Sequence, residues 1–175
     1  MNIKNTMIQD QKELSIRNFK FNRFILLRYA LALFFFINVY WFIFNLFTKS
    51  ITAIVPGVII ISSLAAIGEQ IKLFWNHDNT LKFTKMFFKV QLAVNVILAV
   101  VIWIESVFSF LYPFLTFTND SLAVVYAFLI VGMFVALLLI KKAQSISNNR
   151  DKKYKLIKKY EKSLVRESDK NVRAK

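Results

Sequence analysis

The chain has 175 residues, 57% of them hydrophobic, with a mean hydropathy of +0.48 and a formal net charge of +14. This composition, with only three glycines and two prolines, excludes an ordinary water-soluble domain and indicates a protein solvated by lipid. The lack of cysteine excludes disulfides, zinc–thiolate sites and cysteine nucleophiles. The one histidine, His77, stands beside Asp78 in a polar stretch, a pair typical of a protein surface. We therefore expect no metal, no cofactor and no enzymatic activity.

Four apolar runs are long enough to cross a membrane. A hydrocarbon core about 30 Å thick needs about 20 residues of helix, and uncharged or nearly uncharged runs of that size cover residues 29–47, 51–68, 90–112 and 121–140. The runs are continuous and do not alternate with a period of two residues, which excludes a transmembrane barrel. The sequence therefore predicts an all-α fold, a polytopic membrane four-helix bundle whose first two spans form a hairpin.

The basic residues are strongly segregated along the chain. Six lie in residues 1–28, four in 69–89 and thirteen in 141–175, whereas residues 112–120 hold none. Positively charged segments stay on the cytoplasmic side of a membrane. We therefore expect both termini and the middle loop to be cytoplasmic, with the two short hairpin tips outside, in a multi-pass protein of the plasma membrane.

The N-terminal segment, residues 1–28, mixes basic and aromatic side chains directly before the first span. Such a mixture also occurs in proteins that bind single-stranded nucleic acid, but its position beside a span favours an interfacial segment. Its rings would enter the headgroup layer while its cations meet anionic lipid or a protein partner. The candidate contact residues are Arg17, Lys20, Arg23 and Arg28.

The C-terminal segment, residues 141–175, is a basic tail that contains an amphipathic helix. Four apolar residues recur at spacings of three, three and four, so a helix would carry them as one stripe among lysines. Either the tail is held near anionic lipid headgroups, or the stripe docks onto the cytoplasmic face of a partner protein. The stripe consists of Tyr154, Ile157, Tyr160 and Leu164.

Two glutamates stand near the ends of apolar runs. Glu105 lies about 24 Å along the third span from Lys89, about 6 Å short of the outer boundary. It is either an interfacial residue near the end of its helix, a bundle-facing acid that binds a cation, relays a proton or docks a partner, or a residue of helix packing. Glu69 and Lys72, three residues apart, predict a solvated or interfacial ion pair.

Uncharged polar residues inside the spans predict contacts between helices. Gln91 and Asn95 share one face of the third span, and Asn38 and Asn45, seven residues apart, share one face of the first. We expect an Asn–Asn or Asn–Gln contact between these two helices. Such contacts usually stabilise packing by about 0.6 kcal/mol each, and a path for a solute is the alternative.

Three stretches carry a resemblance to a known group of proteins: IRNFKFNRFILLRYALALFFFINVYW, IGEQIKLF and DKKYKLIKKYEKS. With them the chain resembles small four-span membrane proteins of Gram-positive, lactic-acid-type bacteria that are often labelled as a cellobiose phosphotransferase subunit IIC. Permeases of that name are much larger and embed a substrate-binding His or Glu in a long membrane domain. The resemblance therefore implies the cytoplasmic membrane of a Gram-positive bacterium and does not imply sugar transport.

The sequence predicts a small, non-enzymatic integral membrane protein. The first interpretation is an accessory or regulatory subunit that binds another membrane protein or a second copy of itself. The alternatives are an immunity or envelope-stress protein directed against a membrane-acting peptide, and a small transporter, proton-coupled through Glu105. The expected partners are the bilayer, through anionic headgroups, and a membrane protein, and we expect no binding to nucleic acid.

Overall fold

The structure is a computed structural model that describes residues 3–76 and 80–173. Within these residues the chain forms helices and contains no strand, which confirms the all-α prediction. The expected surface pair of His77 and Asp78 lies outside the described residues. The helices are α1 (Ile3–Phe47), a 3-10 turn (Ile51–Ala53), α2 (Ile54–Asn76), α3 (Lys82–Val101), α4 (Glu105–Leu111), α5 (Asn119–Ser147) and α6 (Lys152–Arg173).

In the described part of the chain, four helices are long and apolar enough to cross a membrane: α1, α2, α3 and α5. Large apolar side chains cover the outside of these helices, among them Phe36, Ile61, Val100 and Phe128, all more than half exposed. An apolar surface of this extent is matched by hydrocarbon and would be unfavourable in water. The chain is therefore a multi-pass integral membrane protein.

The first helix is longer than the span that we predicted. We expected residues 1–28 to form an interfacial segment separate from the first span, but α1 continues without interruption from Ile3 to Phe47. No glycine or proline occurs in this stretch, so nothing in the chain breaks the helix. A helix of 45 residues is about 68 Å long, more than twice the thickness of the hydrocarbon core.

The first half of α1 packs against α6. The contacts move toward the N-terminus of α1 as α6 proceeds, because Asp151 meets Arg23 whereas Tyr160 meets Phe19. The two helices are therefore antiparallel and extend together beyond the four-helix bundle. We call residues 10–27 of α1 together with α6 the terminal arm.

The third predicted span, residues 90–112, is wrong as a single helix. The helix α3 begins earlier, at Lys82, and ends at Val101, and α4 starts a new helix at Glu105. At 20 residues α3 already matches the hydrocarbon thickness, so the break falls where a spanning helix can end. The carbonyl of Ala99, which loses its helical partner there, accepts a hydrogen bond from the hydroxyl of Tyr126 in α5.

Of the other two predicted spans, residues 121–140 lie inside α5, whereas residues 51–68 cover the 3-10 turn and the first part of α2. The predicted runs 51–68 and 121–140 correspond to α2 and α5, and α5 continues to Ser147 before it ends. Two clusters of buried side chains fill the bundle. One, near the terminal arm, contains Phe34, Phe87 and Phe88 in edge-to-face contact. The other, near α4, is built around Phe108 and Tyr112.

Candidate functional site

A buried ion pair fastens the terminal arm to the bundle. Arg23 is only 6% exposed, and the side chain of Asp151 is 1% exposed. The Nε of Arg23 donates to both carboxylate oxygens of Asp151, at 3.0 and 3.1 Å, and Nη2 donates to Oδ1 at 2.6 Å. The prediction that Arg23 contacts lipid headgroups is therefore wrong, because its charge is satisfied by a carboxylate from the far end of the chain.

The same guanidinium also binds the C-terminal end of α5. Its Nη2 donates to the carbonyl of Ile146 at 2.9 Å and to Oδ1 of Asn149 at 2.8 Å. Carbonyls in the last turn of a helix have no partner within the helix. A cation at this position donates hydrogen bonds to them and interacts favourably with the negative end of the helix dipole. Asn149, at φ 55°, adopts the left-handed conformation that ends the helix. Arg23 therefore acts as a cap for α5.

Asp151 performs the matching role at the start of α6. Its Oδ2 accepts the backbone N–H of Tyr154 at 3.2 Å, three residues further on, which is the geometry of a helix N-cap. The negative charge of the carboxylate also interacts favourably with the positive end of the α6 helix dipole. The Tyr154 ring lies 5.0 Å from the Arg23 guanidinium carbon. One ion pair thus joins the middle of α1, the end of α5 and the beginning of α6.

The apolar stripe of α6 faces α1. The stripe residue Ile157 is buried, and Tyr154, Tyr160 and Leu164 are partly buried. The rings of Tyr160 and Phe19 have centroids 5.6 Å apart. The sequence correctly predicted an amphipathic helix. For Ile157 the predicted contact with lipid or a partner protein is wrong, because this side chain is buried within the chain. For the partly buried Tyr154, Tyr160 and Leu164 it remains a prediction.

The other three candidate contact residues of the N-terminal segment lie on the surface or near it. Lys20 pairs with Glu161 at 3.4 Å, and both side chains are well exposed. Arg17 is exposed, whereas Arg28 is partly buried with its guanidinium 5.4 Å from the ring of Phe21. Headgroup contact by Arg17, Lys20 and Arg28 remains a prediction.

A chain of amide hydrogen bonds links α1 and α3 inside the bundle. Asn38 Nδ2 donates to Gln91 Oε1 at 3.1 Å, and Gln91 Nε2 donates to Asn95 Oδ1 at 3.0 Å. All three side chains are buried. The Asn–Gln contact expected from the sequence is therefore present. On α5, a Cβ at Gly132 would lie 2.6 Å from Asn95 Nδ2, so only glycine allows this approach of α5 to α3.

Asn45 does not join that amide chain, although it shares a face of α1 with Asn38. Its Nδ2 donates to the carbonyl of Trp41 at 2.9 Å, and its Oδ1 accepts the hydroxyl of Thr52 at 2.7 Å. Thr52 lies in the 3-10 turn between α1 and α2. Asn45 therefore stabilises the turn of the first hairpin and makes no contact of its own with α3 in the described hydrogen bonds.

The two glutamates have separate environments. Glu105 is the first residue of α4 and is exposed, so the interpretation as a bundle-facing acid is wrong, and its place at a helix end agrees with the first interpretation. Glu69 accepts the backbone N–H groups of Phe83 and Thr84 at 2.9 and 2.7 Å. These donors lie in the first turn of α3. Glu69 therefore caps α3, and the described ion pairs do not include the one that we expected between Glu69 and Lys72.

Sequence reasoning missed three residues of these sites. Asp151 stands directly before an amphipathic run, which is the usual signal of a helix N-cap, and this signal could have identified it. Asn149 precedes it in a polar turn, where a left-handed residue commonly ends a helix. Gly132 gives no such signal, because it lies within a clean apolar run. In the described part of the chain, no group of three or more His, Asp or Glu side chains is arranged to hold a metal ion.

Comparison with known proteins adds no relative to this geometry. No protein family, no curated protein and no solved structure shows a significant match to the chain.

Proposed function

We propose that this integral membrane protein is a non-enzymatic accessory subunit that binds another membrane protein through the outer face of the terminal arm. The observation that carries the proposal is the buried pair of Arg23 and Asp151, which holds α6 in a fixed position on α1. A surface that is already rigid before binding loses little conformational entropy when the partner arrives.

The outer face of the arm supplies the binding chemistry. Four basic side chains recur along α6 at spacings of four, three and four, on the side opposite Ile157, and all four are exposed. In all, α6 has nine Lys or Arg residues and three acidic residues. The complementary surface on a partner is acidic, because opposite charge steers association and selects between partners. The four side chains, which we call the basic row, are Lys155, Lys159, Lys162 and Arg166.

The length of the arm favours a protein over the bilayer as the target of the basic row. Arg166 lies about 22 Å along α6 from Asp151, and α6 follows α1 away from the bundle. Electrostatic attraction to a membrane surface decays over about 8 Å at physiological salt. The distal cations are therefore outside the range of the headgroups if the arm continues the direction of the first span.

The distribution of charge supports a cytoplasmic location for the arm. The two segments that contain it, residues 1–28 and 141–175, hold nineteen of the 24 basic residues, and basic segments remain on the cytoplasmic side. The resemblance to small membrane proteins of Gram-positive bacteria supports the cytoplasmic membrane of such a bacterium as the location. The partner is then a membrane protein with an acidic cytoplasmic surface.

The proposal is tested by capturing the tagged protein, at native expression level in mild detergent, and identifying accompanying proteins by mass spectrometry. The test variant replaces Lys155, Lys159 and Lys162 with glutamine. The control variant replaces three exposed lysines outside the arm with glutamine, so that both variants lose the same charge: Lys72, Lys82 and Lys89.

We expect one membrane protein in near-stoichiometric amount with the parent and the control, and its loss with the arm variant. Circular dichroism and thermal unfolding of each purified variant show whether the fold is intact. A partner that is retained by a folded arm variant would contradict the proposed surface. The lack of any stoichiometric partner in all three samples would contradict the accessory function itself.

A further inference from the structure

One face of α1 carries a continuous line of seven residues that begins in the terminal arm and ends inside the membrane. Successive members are four and three positions apart in turn, so they stay on one side of the helix over about 32 Å. None of the seven is buried, and Leu14 and Phe21 are 55% and 44% exposed. We call this line the α1 seam, and it consists of Leu14, Asn18, Phe21, Ile25, Arg28, Ala32 and Phe35.

The α1 seam points away from α6. Arg23, which holds α6 through Asp151, is two residues from both Phe21 and Ile25. Two residues correspond to a rotation of about 200° around a helix. The helix α6 therefore packs on the side of α1 opposite the seam.

The membrane part of the seam lines a groove between α1 and α2. Arg28, Ala32 and Phe35 all lie in the wall of this groove, which holds a cavity of about 490 Å³. The small side chain of Ala32 permits close approach of another helix. The guanidinium of Arg28 lies 5.4 Å from the ring of Phe21, so its charge is directed along α1 toward the arm. The exposed face of the arm thus continues into an apolar groove of the bundle.

The seam requires an occupant that crosses the membrane surface. Because α1 is one continuous helix, Phe21 and Leu14 lie about 10 and 21 Å beyond Arg28, where hydrocarbon does not cover them. Ala32 and Phe35 belong to the part of α1 that is apolar enough to cross the membrane. A lipid chain would cover only the second part, whereas a helix that continues from the membrane into the cytoplasm covers both.

We propose that the α1 seam joins two copies of this chain in a parallel homodimer, with α1 of one subunit packed on α1 of the other. Two copies in one membrane have the same orientation, so a two-fold axis along the membrane normal brings identical residues together at each level. The alternating spacing is that of a coiled coil. In this register Leu14 and Phe21 occupy d positions, and Asn18 and Ile25 occupy a positions.

Asn18 favours a second copy over a different protein. In a parallel pair in register, the side chain of Asn18 faces Asn18 of the partner subunit, and each amide is both a donor and an acceptor. A single asparagine at an a position selects the register and the two-stranded state, at a cost in stability. The β-branched Ile25 at the next a position favours two strands as well.

The proposed arrangement keeps the basic helices of the two subunits apart. The axes of packed helices are about 8–10 Å apart, so the order α6, α1, α1, α6 places the two α6 helices about 24–30 Å from each other. Repulsion between exposed charges decays over about 8 Å at physiological salt. Both basic rows therefore remain accessible on the outer sides of the dimer.

The dimer is independent of the proposed accessory function, because the seam belongs to α1 and the basic row to α6. Loss of the dimer leaves the charge of the basic row unchanged, and glutamine substitutions in the basic row leave the seam unchanged. Failure of one proposal is therefore distinguishable from failure of the other.

The first test uses the lack of cysteine in the chain, which allows each introduced cysteine to report one position. Full-length single-cysteine variants are oxidised in isolated membranes, and disulfide-linked dimer is measured by non-reducing electrophoresis. The seam variants are Leu14→Cys, Ile25→Cys and Ala32→Cys. The matched controls change the adjacent exposed residues, which lie on other faces of α1: Glu13→Cys, Leu26→Cys and Leu33→Cys.

We expect at least about tenfold more linked dimer from each seam variant than from its neighbour, because a disulfide forms only between closely facing Cβ atoms. Equal linkage at seam and control positions would overturn the proposal. Each substitution changes one side chain that is not buried, and folding of each variant is checked by its helicity and thermal unfolding.

The second test measures the mass of the protein in mild detergent by native mass spectrometry, where the parent should have twice the 20.5 kDa of one chain. The double variant Leu14→Glu with Ile25→Glu brings like charges together in the seam and should be monomeric. The control Leu26→Glu should remain dimeric. Asn18→Leu should still associate but should populate more than one oligomeric state, because the selecting amide is gone.

A dimeric mass for the folded double glutamate variant would overturn the proposed surface, and so would a monomeric mass for Leu26→Glu equal to that of the double variant. If the double glutamate variant does not fold, the comparison of cysteine variants decides between the seam and any other surface.

Discussion

The base of the terminal arm and the interior of the bundle use buried polar groups in different ways. At the arm, Arg23 and Asp151 form a full ion pair in which each group also completes a helix end. Inside the bundle, Asn38, Gln91 and Asn95 form a neutral chain of single hydrogen bonds. Gln91 is the tenth of the 20 residues of α3, far from either end.

The difference follows from the cost of burying charge. Removal of an ion from water costs several kcal/mol even after relaxation, and only excellent geometry offsets this cost. Neutral amides are far less costly in hydrocarbon, and their hydrogen bonds between membrane helices contribute only about 0.6 kcal/mol each. The protein therefore places its strongest and most specific polar contact at the end of the bundle and its weaker contacts in the middle.

The largest expected effect comes from removing one of the two charges of the Arg23–Asp151 ion pair. Asp151→Asn preserves a side chain that can cap α6 but leaves the buried charge of Arg23 without a carboxylate. We expect a loss of about 3–5 kcal/mol in the free energy of opening the arm. Hydrogen exchange of the backbone N–H groups of α6, measured in detergent micelles, reports this free energy directly.

The matched control is Glu161→Gln, which removes the exposed partner of Lys20. An exposed pair contributes less than about 1 kcal/mol, so protection of α6 should change little. Equal effects of the two substitutions would show that burial of Asp151 is unimportant. The double variant Arg23→Met with Asp151→Leu should recover much of the loss, because it removes both charges from the buried site.

A smaller effect is expected where α5 approaches the amide chain. Gly132→Ala places a methyl group 2.6 Å from Asn95 Nδ2, so the Asn95 side chain must shift. We expect a destabilisation of about 1–3 kcal/mol, measured as a lower thermal unfolding temperature in detergent. Gly68→Ala is the control, because nothing lies within 4 Å of its new methyl group, and it should stabilise α2 by up to about 1 kcal/mol. The reverse order of the two variants would contradict the close approach.

Removal of the α3 cap should have a local effect of about 1 kcal/mol. Glu69→Ala leaves the N–H groups of Phe83 and Thr84 without their acceptor. These two N–H groups should exchange faster, whereas those in the middle of α5 should not change. Lys72→Ala is the control and should leave exchange in α3 as it is. Similar exchange in both variants would be inconsistent with capping by Glu69.

The smallest expected effect lies in the middle of the bundle. A double-mutant cycle with Asn38→Leu and Gln91→Leu should give a coupling free energy of about 0.6 kcal/mol, and not more than about 1.7 kcal/mol. Glu105→Gln should leave stability unchanged, because the side chain is exposed and no described residue is hydrogen-bonded to it. A coupling as large as the Asp151→Asn effect would remove the distinction between the two regions.

The bundle was predictable from the sequence because hydrocarbon imposes length and polarity on every span. Helical periodicity predicted an Asn–Asn or Asn–Gln contact between α1 and α3, but it did not select Asn38 and Gln91 as the pair. The break after Val101 did not, since residues 102–104 are Ile-Trp-Ile and contain no glycine or proline. The carbonyl of Ala99, freed by this break, accepts a hydrogen bond from Tyr126 in another helix. No pattern in the sequence near residues 102–104 therefore predicts the break.

The candidate site was less predictable for a related reason. Among the cations before the first span, Arg23 has no local feature that distinguishes it from Arg17 or Lys20. Its burial depends on Asp151, which lies 128 residues later in the chain. The periodicity of α6 correctly indicated an apolar stripe, but periodicity cannot identify which surface covers the stripe.

The separation of 128 residues between Arg23 and Asp151 also has a consequence for biosynthesis. The ribosome completes all four spans before Asp151 is made. Arg23 therefore lacks its carboxylate partner while the chain enters the membrane. Closure of the arm therefore follows synthesis of the four spans, and a chain truncated before Asp151 cannot complete it. The ion pair therefore forms only in chains that extend past Asp151, and chains that end earlier lack this connection between α1, α5 and α6.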